Sequence, residues 1–262
     1  MGRRHKPHLR CATCRLHASL CICGLLPRID TRTRVVLIMH QLEARKPTNT
    51  GLIAARCLPN SAIGYRGRAP SDAEGPEVDS RRGRSSFAGP SPSREVRNPS
   101  EGSEVEVDWA TLVPAGSRAL ILYPHDGATP IGAFRDSPSP LTLVVPDGTW
   151  RQAARTRTRL AASLGGGASA PCVTVAAPTA TARVARRLRT GARPERLATL
   201  EALALALGVL EGPDVEAQLL HVFRVMTERT LWTNGRVPAS AVTGGIPAGV
   251  RSHDPLGTRG AS

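Results

Sequence analysis

An aspartate closing an apolar run, in LTLVVPDGTWRQAARTRTRL (Leu141 to Leu160), is the first group in this chain placed to do chemistry. The run stops at Pro146, and in an open α/β sheet ligands collect where strands end at their carboxyl edge. Asp147 therefore presents a candidate catalytic carboxylate at the functional rim. Gly148 permits a tight turn with the backbone close to a ligand. Thr149 can cap the helix that begins near Trp150, and Trp150 offers a face for stacking or packing. Arg151, Arg155 and Arg159 then recur at four-residue spacing on one face of that helix. Each feature has a blander reading: Asp-Gly as a mere turn, Trp150 as core, the arginines as a solvated face.

A second polar turn, HQLEARKPTNTG, directly follows the apolar run RVVLIMH. It contains His40, Glu43, Lys46, Thr48, Asn49, Thr50 and Gly51, a density of hydrogen-bonding groups that a simple connection does not require. Ending in Asn-Thr-Gly before a helix, it can offer backbone N–H groups to an anion. In LATLEALALAL, Glu201 falls in the first turn of an otherwise apolar helix, where the dipole favours it; capping is the simplest role there. Near the start, CATCRLHASLCIC sets Cys11, Cys14, Cys21 and Cys23 as C-x2-C followed by C-x-C. Four thiolates from two tight turns can complete a tetrahedral zinc shell, with an iron–sulfur site or free thiols as the alternatives. His17 is a bystander in this reading. Cys57 and Cys172 lie in apolar surroundings and are given no role.

The elements that must position these groups alternate. Short continuous apolar runs at Arg34–His40, Ser61–Tyr65, Arg118–Pro124, Leu141–Pro146 and Cys172–Pro178 read as strands, mostly parallel and buried on both faces. Helices are expected at Leu52–Leu58, 150–164, 199–211 and 213–233. The alternation predicts an α/β sheet with helices on its faces. Residues 66–106, rich in Pro, Ser, Gly and mixed charge, lack core-forming residues and are expected to be a disordered insertion. The expected layout is a four-cysteine module over 1–30, an α/β catalytic domain over 31–235, and a flexible tail over 236–262. No internal repeat is present.

With 262 residues, 40% of them hydrophobic, the chain can bury a substantial core. No apolar run approaches the roughly 18 residues that cross a bilayer, and MGRRHKPHLRC lacks the apolar segment of a secretory signal. A cytoplasmic protein is expected, with no membrane partner. The net charge of +14 and pI near 11.1 suit a polyanion such as nucleic acid. Only Lys6 and Lys46 are lysines, however, and an arginine-rich, Ala/Gly/Pro-rich composition is also what GC-rich codon usage produces.

Taken in order along the chain, the cysteine cluster, the HQLEARKPTNTG turn, ILYP (Ile121–Pro124), PDGTWRQA (Pro146–Ala153) and TLEALA (Thr199–Ala204) resemble the DTW-domain family, the transfer-RNA uridine aminocarboxypropyltransferases. The resemblance spans about residues 9 to 235 without 66–106. The chain departs from it in the inserted Gly148, in Ala198 where Ser is frequent, and in the insertion itself. The resemblance implies a fold similar to the knotted SPOUT α/β class, with S-adenosylmethionine in loops at the carboxyl edge of the sheet. It implies transfer of a 3-amino-3-carboxypropyl group from that cosubstrate to N3 of a uridine in tRNA. Asp147 then meets N3–H as base or hydrogen-bond acceptor, within a catalytic signature that includes Thr149 and Trp150. His40, Glu43, Asn49, Thr50, Gly51, Pro124 and Glu201 become the donor-binding set, Glu43 and Glu201 for its ammonium or ribose hydroxyls. Arg151, Arg155, Arg159, Arg183, Arg186, Arg187 and Arg189 become RNA-backbone contacts.

Two rivals stand beside this reading. An RNA methyltransferase of similar fold would attack a different carbon next to sulfur, and ribosomal RNA could replace tRNA as acceptor. A non-catalytic zinc-containing RNA-binding protein would explain the charge and the cysteines, but has no use for Asp147 and Glu43, which would repel phosphates. The oligomeric state is open.

Overall fold

The computed structural model describes residues 9–44, 46, 49–67, 94–96, 109–164, 170–176 and 197–251. Its centre is a seven-stranded sheet in which every pair is parallel. In chain order the strands are β1 (Arg34–His40), β2 (Ser61–Arg66), β3 (Arg94–Val96), β4 (Arg118–Leu122), β5 (Thr129–Pro130), β6 (Leu141–Asp147) and β7 (Cys172–Thr174). Across the sheet they run β3-β2-β1-β6-β4-β7-β5. The helices are α1 (Gln41–Ala44), α2 (Thr50–Cys57), α3 (Trp150–Ser163), α4 (Thr199–Glu211) and α5 (Pro213–Thr233).

The continuous apolar runs form strands because both sheet faces are covered. In β1, Val35, Leu37 and Met39 join the cluster formed with α2, α4 and α5, while Val36 and Ile38 join the opposite cluster with Leu160 of α3. All seven residues of β6 are buried. Helix α4 is apolar on nearly every side because it lies between the sheet and α5. Its Leu200, Leu203 and Leu207 are fully buried, each contributing about 1.5–3 kcal/mol of burial.

Sheet order positions the site. The chain winds outward through β1, β2 and β3, then crosses to β4, and β6 afterwards fills the place between β1 and β4. Successive connections thus leave β1 and β6 in opposite directions, which opens a crevice above their carboxyl ends. In register, Met39 of β1 lies beside Asp147 of β6.

Three features differ from the expectations. Arg94–Val96, inside the stretch expected to be disordered, form β3 against Ala62–Gly64 of β2; the remainder of that stretch after Gly67 lies outside the described residues. The two-residue β5 was not anticipated, being too short for a period and ending in Pro, which an edge strand tolerates. Residues 236–251, expected as part of a loose tail, pack back: Val242 is buried with Trp232 and Leu20, flanked by Val237, Ile246 and Val250. The cysteine segment is likewise continuous with the body, since Cys14, Leu16, Ile22 and Ile29 belong to the main core cluster. Buried Arg229 of α5 fastens it further, donating from Nη1 to the carbonyls of Leu20 (3.2 Å) and Cys21 (3.0 Å). Among the described residues no helix is long and apolar enough to cross a membrane.

Candidate active site

Asp147 ends β6 with only 6% of its surface exposed. Its Oδ2 accepts from Asn49 Nδ2 at 2.9 Å, and its Oδ1 accepts from the Thr199 hydroxyl at 2.5 Å. Asn49 is the N-cap of α2: its Oδ1 accepts from Leu52 N–H at 2.8 Å while Nδ2 also reaches the Glu43 carbonyl at 3.2 Å. Thr199 opens α4, and the next residue's N–H donates to the Thr50 hydroxyl at 3.4 Å. One carboxylate thus joins the amino-terminal ends of two helices, where the partial positive charge of unpaired N–H groups favours an anion. Gly51 makes this possible, because a Cβ there would stand 3.0 Å from Asp147 Oδ2.

The turn after Asp147 is fixed by α3's own cap. Thr149 N–H donates to Gln152 Oε1 at 2.8 Å, and Gln152 N–H returns to Thr149 Oγ1 at 3.4 Å, a reciprocal capping box. The Thr149 hydroxyl also donates to Gln152 Oε1. Gly148 cannot take a Cβ without approaching that same oxygen to 3.0 Å. Trp150 therefore begins α3 at a set angle, its ring 5.7 Å from that of Tyr123 and tilted 58°.

These groups border a cavity of about 740 Å³ across the carboxyl ends of β6, β4 and β7, of a size that holds a cofactor-like molecule. Its lining combines the polar groups Glu43, Lys46, Asn49, Thr50, Asp147 and Thr199 with Tyr123, Pro124, Trp150, Thr174 and Val175. Lys46 Nζ pairs with Glu43 Oε1 at 2.6 Å, so a zwitterionic ligand would find both signs of charge side by side.

Of the sequence-predicted residues, Glu43, Asn49, Thr50, Pro124, Asp147, Thr149, Trp150 and Arg151 line the cavity together. Gly51 stands behind Asp147. His40 and Glu201 are not in the lining. His40 Nδ1 accepts from Leu42 N–H at 3.2 Å; burial, then the charge of Arg66, lower its pKa, with Glu43 partly opposing. Glu201 is fully buried and accepts the Ala198 N–H at 2.9 Å. Since Ala198 has no side-chain cap, the helix uses Glu201 instead, which is the simple role the sequence allowed. Arg155 and Arg159 are exposed on α3. Arg183, Arg186, Arg187 and Arg189 lie outside the described residues. Thr199, Lys46 and Tyr123 received no site role from the sequence. Thr199 had a usable signal, a hydroxyl at a helix start, but which carboxylate it would meet is a tertiary fact.

In the N-terminal segment, the Sγ atoms of Cys11, Cys14, Cys21 and Cys23 all lie within 4.8 Å of one another. The separations are 3.5 Å for Cys11–Cys21, 3.6 Å for Cys11–Cys23 and 3.8 Å for Cys14–Cys21. A tetrahedral shell with zinc–sulfur bonds of about 2.3 Å has sulfur–sulfur edges of about 3.8 Å, so the four could hold a metal ion and are compatible with structural zinc. Burial, together with the charges of Cys11 and Cys21, pushes the Cys14 thiol up to about 12. For Cys11 burial acts in the same direction but is outweighed by hydrogen bonds, led by those of the Cys14 and Thr13 backbones, which bring it down to about 7. Four neighbouring thiols of this kind ionise together only beside a cation.

Fold and site define an α/β protein with a small-molecule crevice at the carboxyl edge of a parallel sheet. The family model described as the DTW domain matches residues 8–231, and the chain belongs to that family. Membership is consistent with a tRNA-modifying transferase. No solved structure matches the chain significantly.

Proposed function

We propose that this protein transfers the 3-amino-3-carboxypropyl group of S-adenosylmethionine to N3 of a uridine in tRNA. The observation that carries the reading is Asp147, clamped by Asn49 and Thr199 in the wall of the crevice of a DTW-domain chain. Uridine N3–H is a weak acid, so attack needs an acceptor fixed against it. A carboxylate whose oxygens are each oriented by a protein donor loses little freedom when it takes that role. The N3 proton passes to Asp147 as the N3 lone pair forms a bond to the γ-carbon of the methionine moiety. The γ-carbon–sulfur bond breaks, its electron pair neutralises the sulfonium, and methylthioadenosine leaves.

The donor's ammonium suits Glu43 and its carboxylate suits Lys46, with Asn49 and Thr50 beside them. Arg151, Arg155 and Arg159 hold the RNA backbone. The four cysteines hold a structural zinc. The knotted SPOUT-like class belongs to the same reading, supported by the parallel sheet in which β6 enters between β1 and β4, and so does a cytoplasmic location.

The by-product tests the reaction. Incubated with S-adenosylmethionine and unmodified tRNA, the protein should release methylthioadenosine in proportion to RNA modified. S-adenosylhomocysteine instead would make it a methyltransferase.

A further inference from the structure

The chain is poor in aromatics, with 3 Trp, 2 Tyr and 3 Phe, yet Tyr123 and Trp150 meet in the wall of the crevice. Both rings are half-buried. Tyr123 follows β4 directly and its N–H bonds the Val173 carbonyl of β7 at 3.1 Å, which fixes its backbone at the edge of the sheet. Arg157, two turns after Trp150 on the same face of α3, lies over the Tyr123 ring at 5.6 Å.

We infer that Tyr123 and Trp150 form the subsite that receives the acceptor base, an uncharged pyrimidine drawn out of the RNA. The inference rests on the proposed transferase reading and assigns the aromatic part of its crevice. Bases taken from single-stranded RNA are held on aromatic side chains. A sulfonium at these rings would meet the charge of Arg157, whereas a neutral base carries none; the cationic donor instead has the Glu43 carboxylate in the lining. RNA gripped along Arg151, Arg155 and Arg159 reaches the crevice at the start of α3, where Trp150 precedes Arg151. Strand order sets the separation: Asp147 ends β6 and Tyr123 follows its neighbour β4, so the rings and the carboxylate stand about one strand spacing apart, ~5 Å at the backbone. The two side chains leave opposite faces of the sheet, Tyr123 toward α3 and Asp147 toward Asn49 and Thr199, and both line the crevice at the carboxyl edge, where a base stacked on the rings would turn its edge across to the carboxylate.

The test is direct binding with the full-length protein, without turnover. The probes are S-adenosylmethionine, methylthioadenosine, and a stem-loop RNA with a uridine loop, alongside the same RNA carrying abasic loop sites. Tyr123→Leu should weaken uridine-loop binding roughly 5- to 150-fold, the range of one lost base stack. It should leave the abasic RNA and both adenosine compounds within about twofold, an allowance below one stack. Tyr123→Phe, which keeps the ring, should bind as the unsubstituted protein and serves as the folding control. Loss of methylthioadenosine affinity instead would assign the rings to the donor's adenine and overturn the inference. Equal losses for uridine and abasic RNA would do the same, by showing that Tyr123 only packs α3. If the unsubstituted protein performs no carboxypropyl transfer, the function reading fails while the ring-dependent recognition of uridine is still read from binding.

Discussion

Asn49 serves α2 and Asp147 at once: its Oδ1 caps the helix through Leu52 N–H at 2.8 Å, and its Nδ2 holds Asp147 Oδ2 at 2.9 Å. The two roles separate by substitution. Serine caps a helix about as well as asparagine, but is too short to keep the second bond. Asn49→Ser should therefore stay within a few degrees of the original melting temperature while transfer falls by about tenfold or more, the effect of one lost orienting hydrogen bond of about 1.5 kcal/mol. Rate and melting temperature falling in parallel would show that Asn49 is only a cap.

Gly51 gives a sharper separation. Alanine is a better helix former than glycine by about 0.8–1 kcal/mol, but its Cβ would stand 3.0 Å from Asp147 Oδ2 and 3.2 Å from its Cγ. Gly51→Ala should cost little stability and at least about tenfold in transfer rate, from a carboxylate displaced by a fraction of an ångström. Full activity would mean that the position of Asp147 is immaterial.

Zinc at the four cysteines should appear as one equivalent per chain by elemental analysis. Because Cys14, Leu16 and Ile22 belong to the main core cluster, its loss should reach the whole domain. Cys14→Ser or strong chelation should lower the melting temperature by several degrees, about 1–2 kcal/mol or more for a domain of this size. A metal-free protein of unchanged stability would refute the assignment.

Glu211 supplies a pH signature. Burial raises its carboxyl, but the Thr33 hydroxyl and N–H and the Arg32 N–H outweigh that and hold it below the ordinary value. Its stabilising contribution is thus complete above the unfolded pKa and disappears as pH falls through the lower folded value. Glu211→Gln should be less stable than the original at pH 7, with the difference shrinking below about pH 4. Denaturation curves across that range check it; a difference that does not change with pH would contradict it.

The arginine face of α3 predicts a salt dependence. Arg155→Ala and Arg159→Ala should each reduce the slope of log affinity for RNA against log salt by about 0.7–0.9, one phosphate contact each. An unchanged slope would make these residues an ordinary solvated face.

Most elements were legible because their signals are local. The runs ending at His40 and Asp147, and the helices starting at Trp150, Thr199 and Pro213, are bounded by residues whose chemistry starts or stops such elements. What escaped depends on partners remote in sequence. Thr199 meets Asp147 across 52 residues, and Tyr123 meets Trp150 only through the adjacency of β4 and β6. Arg94–Val96 became a strand because β2 offered an open edge, which no composition argument reveals. The capping role of Glu201 was legible from its place in the first turn of its helix; the donor-binding role came only from the resemblance, and Glu201 is not in the cavity lining.

The most direct test of the central claim follows the label in RNA. S-adenosylmethionine labelled in the carboxypropyl portion and, separately, in the methyl group is incubated with the protein and unmodified tRNA, and the nucleosides are read by mass spectrometry. Carboxypropyl label should enter a uridine, methyl label should not, and Asp147→Ala should abolish incorporation. Methyl label in the RNA, or no label in tRNA or ribosomal RNA, would contradict the transferase reading.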